Sequence, residues 1–510
     1  MAQRSRSARR FITAAIVVVV LGASALVPAA GAQTAGAFLD GAERWIESDC
    51  DGDVPIVAGS DAAAQSDIYS AVTLAGVIGT DCVVLAGPRD GDMAPHQRAR
   101  LEAARPGGYV VGGLAAVPAA RVAGRDMTRI AGADRWATAE LVGKIVAGSI
   151  PWVPGVNAAG WDFHRSLGGN AVSSPLSIGT AFSLLRAGAS PASASALDKI
   201  FGFPAVGVHN AAKATAAALA EASSETTTLE IANRIFPHIE FSPLPEFLDV
   251  AAADYDITLQ PVDTDDGGAA AKIINDWVSQ RTRGLIPEIV NADSVQDQSL
   301  VIVNTVYLKA DWVAPFDPEL TSDRAFTTAD GTTVTAPFMG DRSYRRYVQL
   351  EGVDAVELPY KGRELAMWLV VPHDHDGLTA VEASLSAEAL TELGGIATTG
   401  DVFVRMPKWE QTLPPSDLLT WLCPRGLCER ARFDGIAPKV EITSALHSAK
   451  LIVDEKGTEA AAATAIGARA TSVEPPPDFV VIADRPFLFA IIHEPTGAIL
   501  LVGRLTNPAA

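Results

Sequence analysis

Asp454-Glu455-Lys456-Gly457-Thr458-Glu459-Ala460-Ala461-Ala462-Ala463-Thr464-Ala465 is followed by a polar, turn-prone stretch and then by Glu474-Pro475-Pro476-Pro477. As a helix, the alanines are good formers and nothing more. As a strand, alternation places Thr458, Ala460, Ala462 and Thr464 on one face, all of them small. Such a face can slide between two neighbouring strands, where a bulky side chain would obstruct it. The three prolines stiffen an extended return path and hold the preceding loop away from the body of the protein.

The chain around this stretch has 510 residues, 48% hydrophobic and 20% charged, enough to bury at least one large core. Lys and Arg total 40 against 60 Asp and Glu, a net charge of −20. That balance repels phosphate backbones and excludes nucleic acid or an anionic membrane as the main partner. At the N-terminus Arg4, Arg6, Arg9 and Arg10 precede an apolar run from Phe11 to Val27, and Ala30-Gly31-Ala32 supplies a small-x-small cleavage pattern. Residues 1–32 are expected to be a signal peptide, the rival being a retained membrane anchor. Secretion to an extracellular, oxidising site favours the pairs Cys50 with Cys82 and Cys423 with Cys428, against an alternative of four unpaired buried thiols. The spacing of Cys423 and Cys428 does not fit a zinc site.

Composition changes near residue 150. Before it, short apolar runs at Val54–Ala58, Cys82–Ala86 and Tyr109–Val111 alternate with Ala-rich stretches, the pattern of a parallel α/β unit. Gly148-Ser149-Ile150-Pro151-Trp152-Val153-Pro154-Gly155 reads as a linker because of its prolines and glycines. The expected division is an α/β domain at 33–148, a linker at 149–156 and an α+β domain at 157–510. In the last, helical patterns at Ala211–Ala222 and Ala271–Arg281 precede β-branched runs at Leu300–Leu308 and Ala366–Val371. It contains no G-x-S-x-G elbow, H-E-x-x-H, P-loop or G-x-G-x-x-G. His373-Asp374-His375-Asp376 lies between Pro372 and Gly377 and is expected to be a solvated turn, not a metal site.

Two resemblances follow. Arg129-Ile130-Ala131-Gly132-Ala133-Asp134-Arg135-Trp136-Ala137-Thr138-Ala139, preceded by Val110-Val111-Gly112-Gly113, resembles the cell wall-binding repeat 2 family of Gram-positive surface proteins. The resemblance implies a module holding the protein to a wall polymer; one copy is present. The stretch after Asp454 resembles the reactive-loop hinge of the serpin family, and Val481-Ile482-Ala483-Asp484-Arg485-Pro486-Phe487-Leu488-Phe489-Ala490-Ile491 its C-terminal signature. Further serpin-like motifs lie in order at Asn170–Ser177, Ile274–Val278 with Thr282 and Gly284, Asn304–Trp312 with Pro315-Phe316, and Gly503–Pro508.

The serpin resemblance implies three sheets with about eight or nine helices and an exposed reactive loop. It implies a suicide inhibitor of serine proteases, working as a monomer without cofactor. The alternative is a non-inhibitory surface-binding or adhesion protein on the same fold. The hinge would be Glu455, Gly457, Thr458, Glu459, Ala460, Ala461, Ala462, Ala463 and Thr464. Ser174, Ser177, Asn304 and His447 would form a polar shutter that parts when the hinge enters the sheet. Trp312, Lys408 and Glu455 would mark the breach where it enters, with Lys408 and Glu455 as an ion pair. Family hinge length puts the scissile bond at Thr471–Ser472, with Ala470 and Arg469 as alternatives. A small β-branched Thr471 suits elastase-like or subtilisin-like proteases, whereas Arg469 would draw trypsin-like ones.

Overall fold

The computed structural model describes residue 50, short segments between 55 and 130, residues 152–204, 207–427 apart from 258, most of 431–458, and 475–509. The expected signal peptide lies outside the described residues, as does the wall-binding motif after Ile130. The chain divides into two compact units, residues 1–150 with 205–207, and residues 151–204 with 208–510.

The first unit contains a four-stranded sheet in the order Val83–Leu85, Ile56–Ala58, Tyr109–Val111, Thr128–Ile130, parallel throughout. Three of its strands, Ile56–Ala58, Val83–Leu85 and Tyr109–Val111, are apolar throughout or nearly so, as in a sheet covered on both faces; the outer strand Thr128–Ile130 carries Arg129. Val57, Val84 and Val110 share a core with Leu101 from the helix Pro95–Ala103. Cys50 and Cys82 form a disulfide beside that core. Cys423 is also in a disulfide, and Cys428 lies outside the described residues.

The expected linker is corrected by the second unit. A helix runs from Trp152 to Ser166, so residues 152–156 are its first turn. Pro154 falls where backbone N–H groups have no intrahelical partner, and there a proline costs nothing. Gly155 is needed for packing, since a Cβ would lie 2.4 Å from the Phe201 carbonyl oxygen.

Beyond this helix the unit is α+β. The expected helices lie within Val208–Glu221 and Gly267–Arg281 or one residue beyond, and the expected strands within Leu300–Asp311 and Leu365–Pro372. A nine-stranded sheet runs Phe479–Ile482, Thr398–Pro407, Thr333–Leu350, Val353–Pro359, Leu365–Pro372, Phe487–His493, Ala498–Leu505, Ala171–Ser173, with Ser322–Thr327 paired to Thr333–Leu350. It merges two of the three expected sheet layers, because the 18-residue strand Thr333–Leu350 pairs with Thr398–Pro407 and with Val353–Pro359. Every residue of Leu365–Pro372, Phe487–His493 and Ala498–Leu505 is buried. Helical Trp161, Leu390 and Leu393 pack on that centre.

The remaining sheet has the order Trp409–Asp417, Ala445–Val453, Gly457–Thr458, Leu300–Asp311, Thr227–Pro237. Its middle member is the start of the alanine-rich stretch. His373–Asp376 forms an exposed turn, with His373 3.2 Å from Asp354.

Candidate functional site

The site is the seam between Ala445–Val453 and Leu300–Asp311. At its lower end the two strands pair directly and in parallel, Ala445 with Ile302, Leu446 with Val303 and His447 with Asn304. At the upper end Gly457 and Thr458 lie between them, Thr458 paired with Val453 on one side and with Ala310 on the other. No ladder joins residues 448–452 to 305–309 among the described residues.

The upper seat explains the sequence there. Asp454 Oδ1 accepts from the Lys456 and Gly457 N–H groups and turns the chain back on itself. A Cβ at Gly457 would sit 1.9 Å from the Ala310 carbonyl oxygen, so only glycine fits. Trp312 clamps the turn with two bonds: its backbone N–H donates to the Lys456 carbonyl (2.7 Å) and its indole N–H to that of Asp454 (3.0 Å). Its ring stacks on Tyr360 at 4.4 Å, and the Tyr360 hydroxyl meets Thr458 Oγ1 at 2.6 Å.

Glu455 is held from three sides. Lys408 Nζ lies 2.8 Å from its carboxylate, the Thr321 hydroxyl donates to it at 2.7 Å, and Phe316 N–H donates to its carbonyl. Burial works to raise the pKa of this carboxyl, and the bonds from Lys408 and Thr321 more than offset it, leaving the value below normal. The structure therefore brings Trp312, Lys408 and Glu455 together. It adds Thr321 and Tyr360, which no sequence pattern marked because they reach the hinge from 134 and 98 residues away.

At the lower end Ser174 caps the helix Pro175–Ala187, its hydroxyl accepting from Ser177 N–H, and its own N–H donates to His447 Nε2 at 3.2 Å. Because Nε2 accepts, the proton of the neutral ring is on Nδ1. Burial pushes the His447 pKa down to about 3, so the ring is neutral at ordinary pH. Ser174, Ser177 and His447 are fully buried. Asn304 pairs through its backbone with both His447 and Asn233. Glu459, Ala460, Ala461, Ala462, Ala463, Thr464, Arg469, Ala470, Thr471 and Ser472 lie outside the described residues.

A sheet closed below, parted above and already holding the first residues of the segment that follows it defines a strand acceptor. The family model described as "Serpin (serine protease inhibitor)" matches residues 163–508, and the chain belongs to the serpin family. Human antithrombin-III is 30% identical over 360 residues, covering 66% of this chain and 76% of the relative. Leukocyte elastase inhibitor of Bos taurus is 32% identical over 358 residues, covering 67% and 93%. Among solved structures, human thyroxine-binding globulin with its hormone bound has a TM-score of 0.63 at 26% identity, covering 70% of this chain and 98% of that one. Serpin48 of Tenebrio molitor has a TM-score of 0.61 at 27% identity, with the same coverage.

Proposed function

We propose that the chain is an exported suicide inhibitor of serine proteases, trapping the acyl-enzyme by inserting its reactive loop into the five-stranded sheet. The register of Thr458 carries the proposal. Thr458 pairs antiparallel with Ala310 and with Val453, so six residues further on Thr464 falls opposite Asn304 by one ladder and opposite His447 by the other. Those two residues now pair with each other. The two ladders thus converge on the pair that closes the sheet, and insertion consists of Thr464 separating it.

Continuing the register takes Ala468 to Leu300, the end of that strand. Residues 459–468 then add about 33 Å of strand at ~3.3 Å per residue. Thr458 faces inward, so Ala460, Ala462, Thr464, Ile466 and Ala468 face inward too, while both charges, Glu459 and Arg469, face out. A protease acylated at Thr471, three residues past Ala468, is carried to the far end of the sheet. The pull distorts its oxyanion hole before water releases it.

The names of antithrombin-III and leukocyte elastase inhibitor support the inhibitor reading; a thyroxine-binding neighbour means that the fold alone does not decide it. The alanine-rich hinge favours the trap, and Thr471–Ser472 as scissile bond favours elastase-like or subtilisin-like targets. The first unit, with its own core, is assigned to retention at a cell-wall polymer.

Incubation with elastase-like and subtilisin-like proteases should give a complex that survives boiling in detergent, with mass spectrometry placing the cut after Thr471. Clean cleavage that leaves protease activity intact would overturn the trap. Pull-down of the whole chain by purified wall, lost on deleting residues 33–148, is expected of the anchoring role; equal retention without those residues would end it.

A further inference from the structure

A cavity of about 110 Å³ opens beside the hinge seat, and its chemistry is unlike the rest of an acidic protein. Its apolar walls include Trp312, Leu358 and Pro359, and Tyr344 forms a side that is 77% exposed. Two arginines line it, Arg345 and Arg363, and no carboxylate does. Arg363 is exposed on the turn that follows Tyr360.

Arg345 is the unusual member. It is 4% exposed, and its Nη2 donates to Asp341 at 2.5 Å, yet Nη1 is buried with no hydrogen-bond partner among the described residues. Its guanidinium lies 5.8 Å from the Phe316 ring, which shields it but accepts no hydrogen bond from Nη1. A buried cationic donor without an acceptor is costly, and native proteins rarely keep one without use. Burial correspondingly lowers the Arg345 pKa, with Asp341 working the other way. Asp341 satisfies one edge of the planar group and leaves the other edge for a second oxyanion.

We propose that this cavity binds a small monocarboxylate with a flat or branched apolar body, one oxygen on Arg345 Nη1 and the other on the Arg363 guanidinium. Nη1 is buried in the resting structure, so the carboxylate reaches it when the cavity wall shifts aside, and Tyr344, 77% exposed, is the least confined part of that wall. The apolar body rests on Trp312, Leu358 and Pro359. A cavity smaller than the ~150 Å³ that encloses a benzene ring admits such a body only in part, with its outer edge in solvent. Two arginines facing one carboxylate select anions over neutral molecules of the same shape. Apolar walls select an organic carboxylate over inorganic phosphate.

Binding does not depend on the inhibitor reading, because none of the lining residues belongs to the loop that would insert. Calorimetric titration of the intact protein with benzoate should show one saturable site with a dissociation constant on the order of 1 mM. Benzyl alcohol and inorganic phosphate are the probes for shape alone and charge alone, and each should bind at least about tenfold more weakly. Arg345→Met should weaken benzoate by about tenfold or more, and the surface variant Arg363→Ala by severalfold. If Arg345→Met fails to fold, Arg363→Ala and Tyr344→Ala, both at exposed positions, decide the matter by changing benzoate affinity. No saturable benzoate binding, equal binding of benzyl alcohol or phosphate, or unchanged affinity in the folded variants would each overturn the proposal.

Discussion

Thr458→Arg tests the seat and the trap together. Thr458 is 2% exposed, is paired on both edges, and meets the Tyr360 hydroxyl at 2.6 Å. An arginine there must bury a guanidinium where the wild-type chain presents a hydroxyl, at a cost of about 3 kcal/mol or more for an unpaired charge. The Tyr360 hydroxyl also loses its partner, worth a further ~1–3 kcal/mol. The hinge would leave the seat, and insertion after acylation would have to overcome the same penalty. Taking ~3 kcal/mol into the insertion barrier slows that step about a hundredfold relative to deacylation. The protease then escapes and the inhibitor becomes a substrate. Titrating residual protease activity against inhibitor, with denaturing gels alongside, reads the partition directly. Thr458→Ser keeps the hydroxyl and should behave as wild type. A detergent-stable complex from Thr458→Arg at wild-type yield would refute the reasoning, because it would mean that a buried charge at residue 458 does not obstruct insertion.

Gly457→Ala should unseat the hinge, since its Cβ would meet the Ala310 carbonyl carbon at 2.9 Å as well as its oxygen; hydrogen exchange at the Trp312 and Phe316 amides should accelerate, and unchanged protection would remove the seat. The lowered pKa of Glu455 makes its contribution complete above 4.5, its ordinary value, and lost as pH falls through the lowered value. Glu455→Gln should abolish that pH dependence of amide protection, and an identical profile in the variant would refute the linkage. His447 binds a proton more readily unfolded, at 6.5, than folded, at about 3. Stability should therefore be full above pH 6.5 and fall as pH drops toward 3, with His447→Gln flattening the slope of urea midpoints against pH.

How much of this was legible in the sequence depended on whether a residue's role was local. Gly457 and Thr458 were legible because the seat makes a local demand for small residues that shows in the sequence without a partner. Ser174 came instead from the family resemblance, and the structure gives it a local task as the cap of Pro175–Ala187. Asn170 and Asn275 stood out as motif members without an evident task, and the structure gives them structural ones. Asn170 Oδ1 accepts from the Thr506 and Asn507 N–H groups, and Asn275 Oδ1 from those of Ile289 and Val290. Thr321 and Tyr360 were not legible, because each is an ordinary residue until the fold brings it to the hinge. The linker was misread because proline opposes a helix only beyond the first turn, and sequence alone does not say where Trp152–Ser166 begins.

What no single stretch could reveal is that closure and acceptance share the same residues. The sheet is closed at His447 and Asn304, and in the proposed trap the register of Thr458, continued, would bring Thr464 to that pair. Gly457 and Thr458 are already seated between the two strands above that junction. In the proposed trap residues 459–463 would pair along two edges with no ladder between them, and the costly step would come at the lower junction, which is buried with the Ser174 N–H on His447. In the proposed trap, cutting the loop would free residues 459–468 to advance along those edges to the junction.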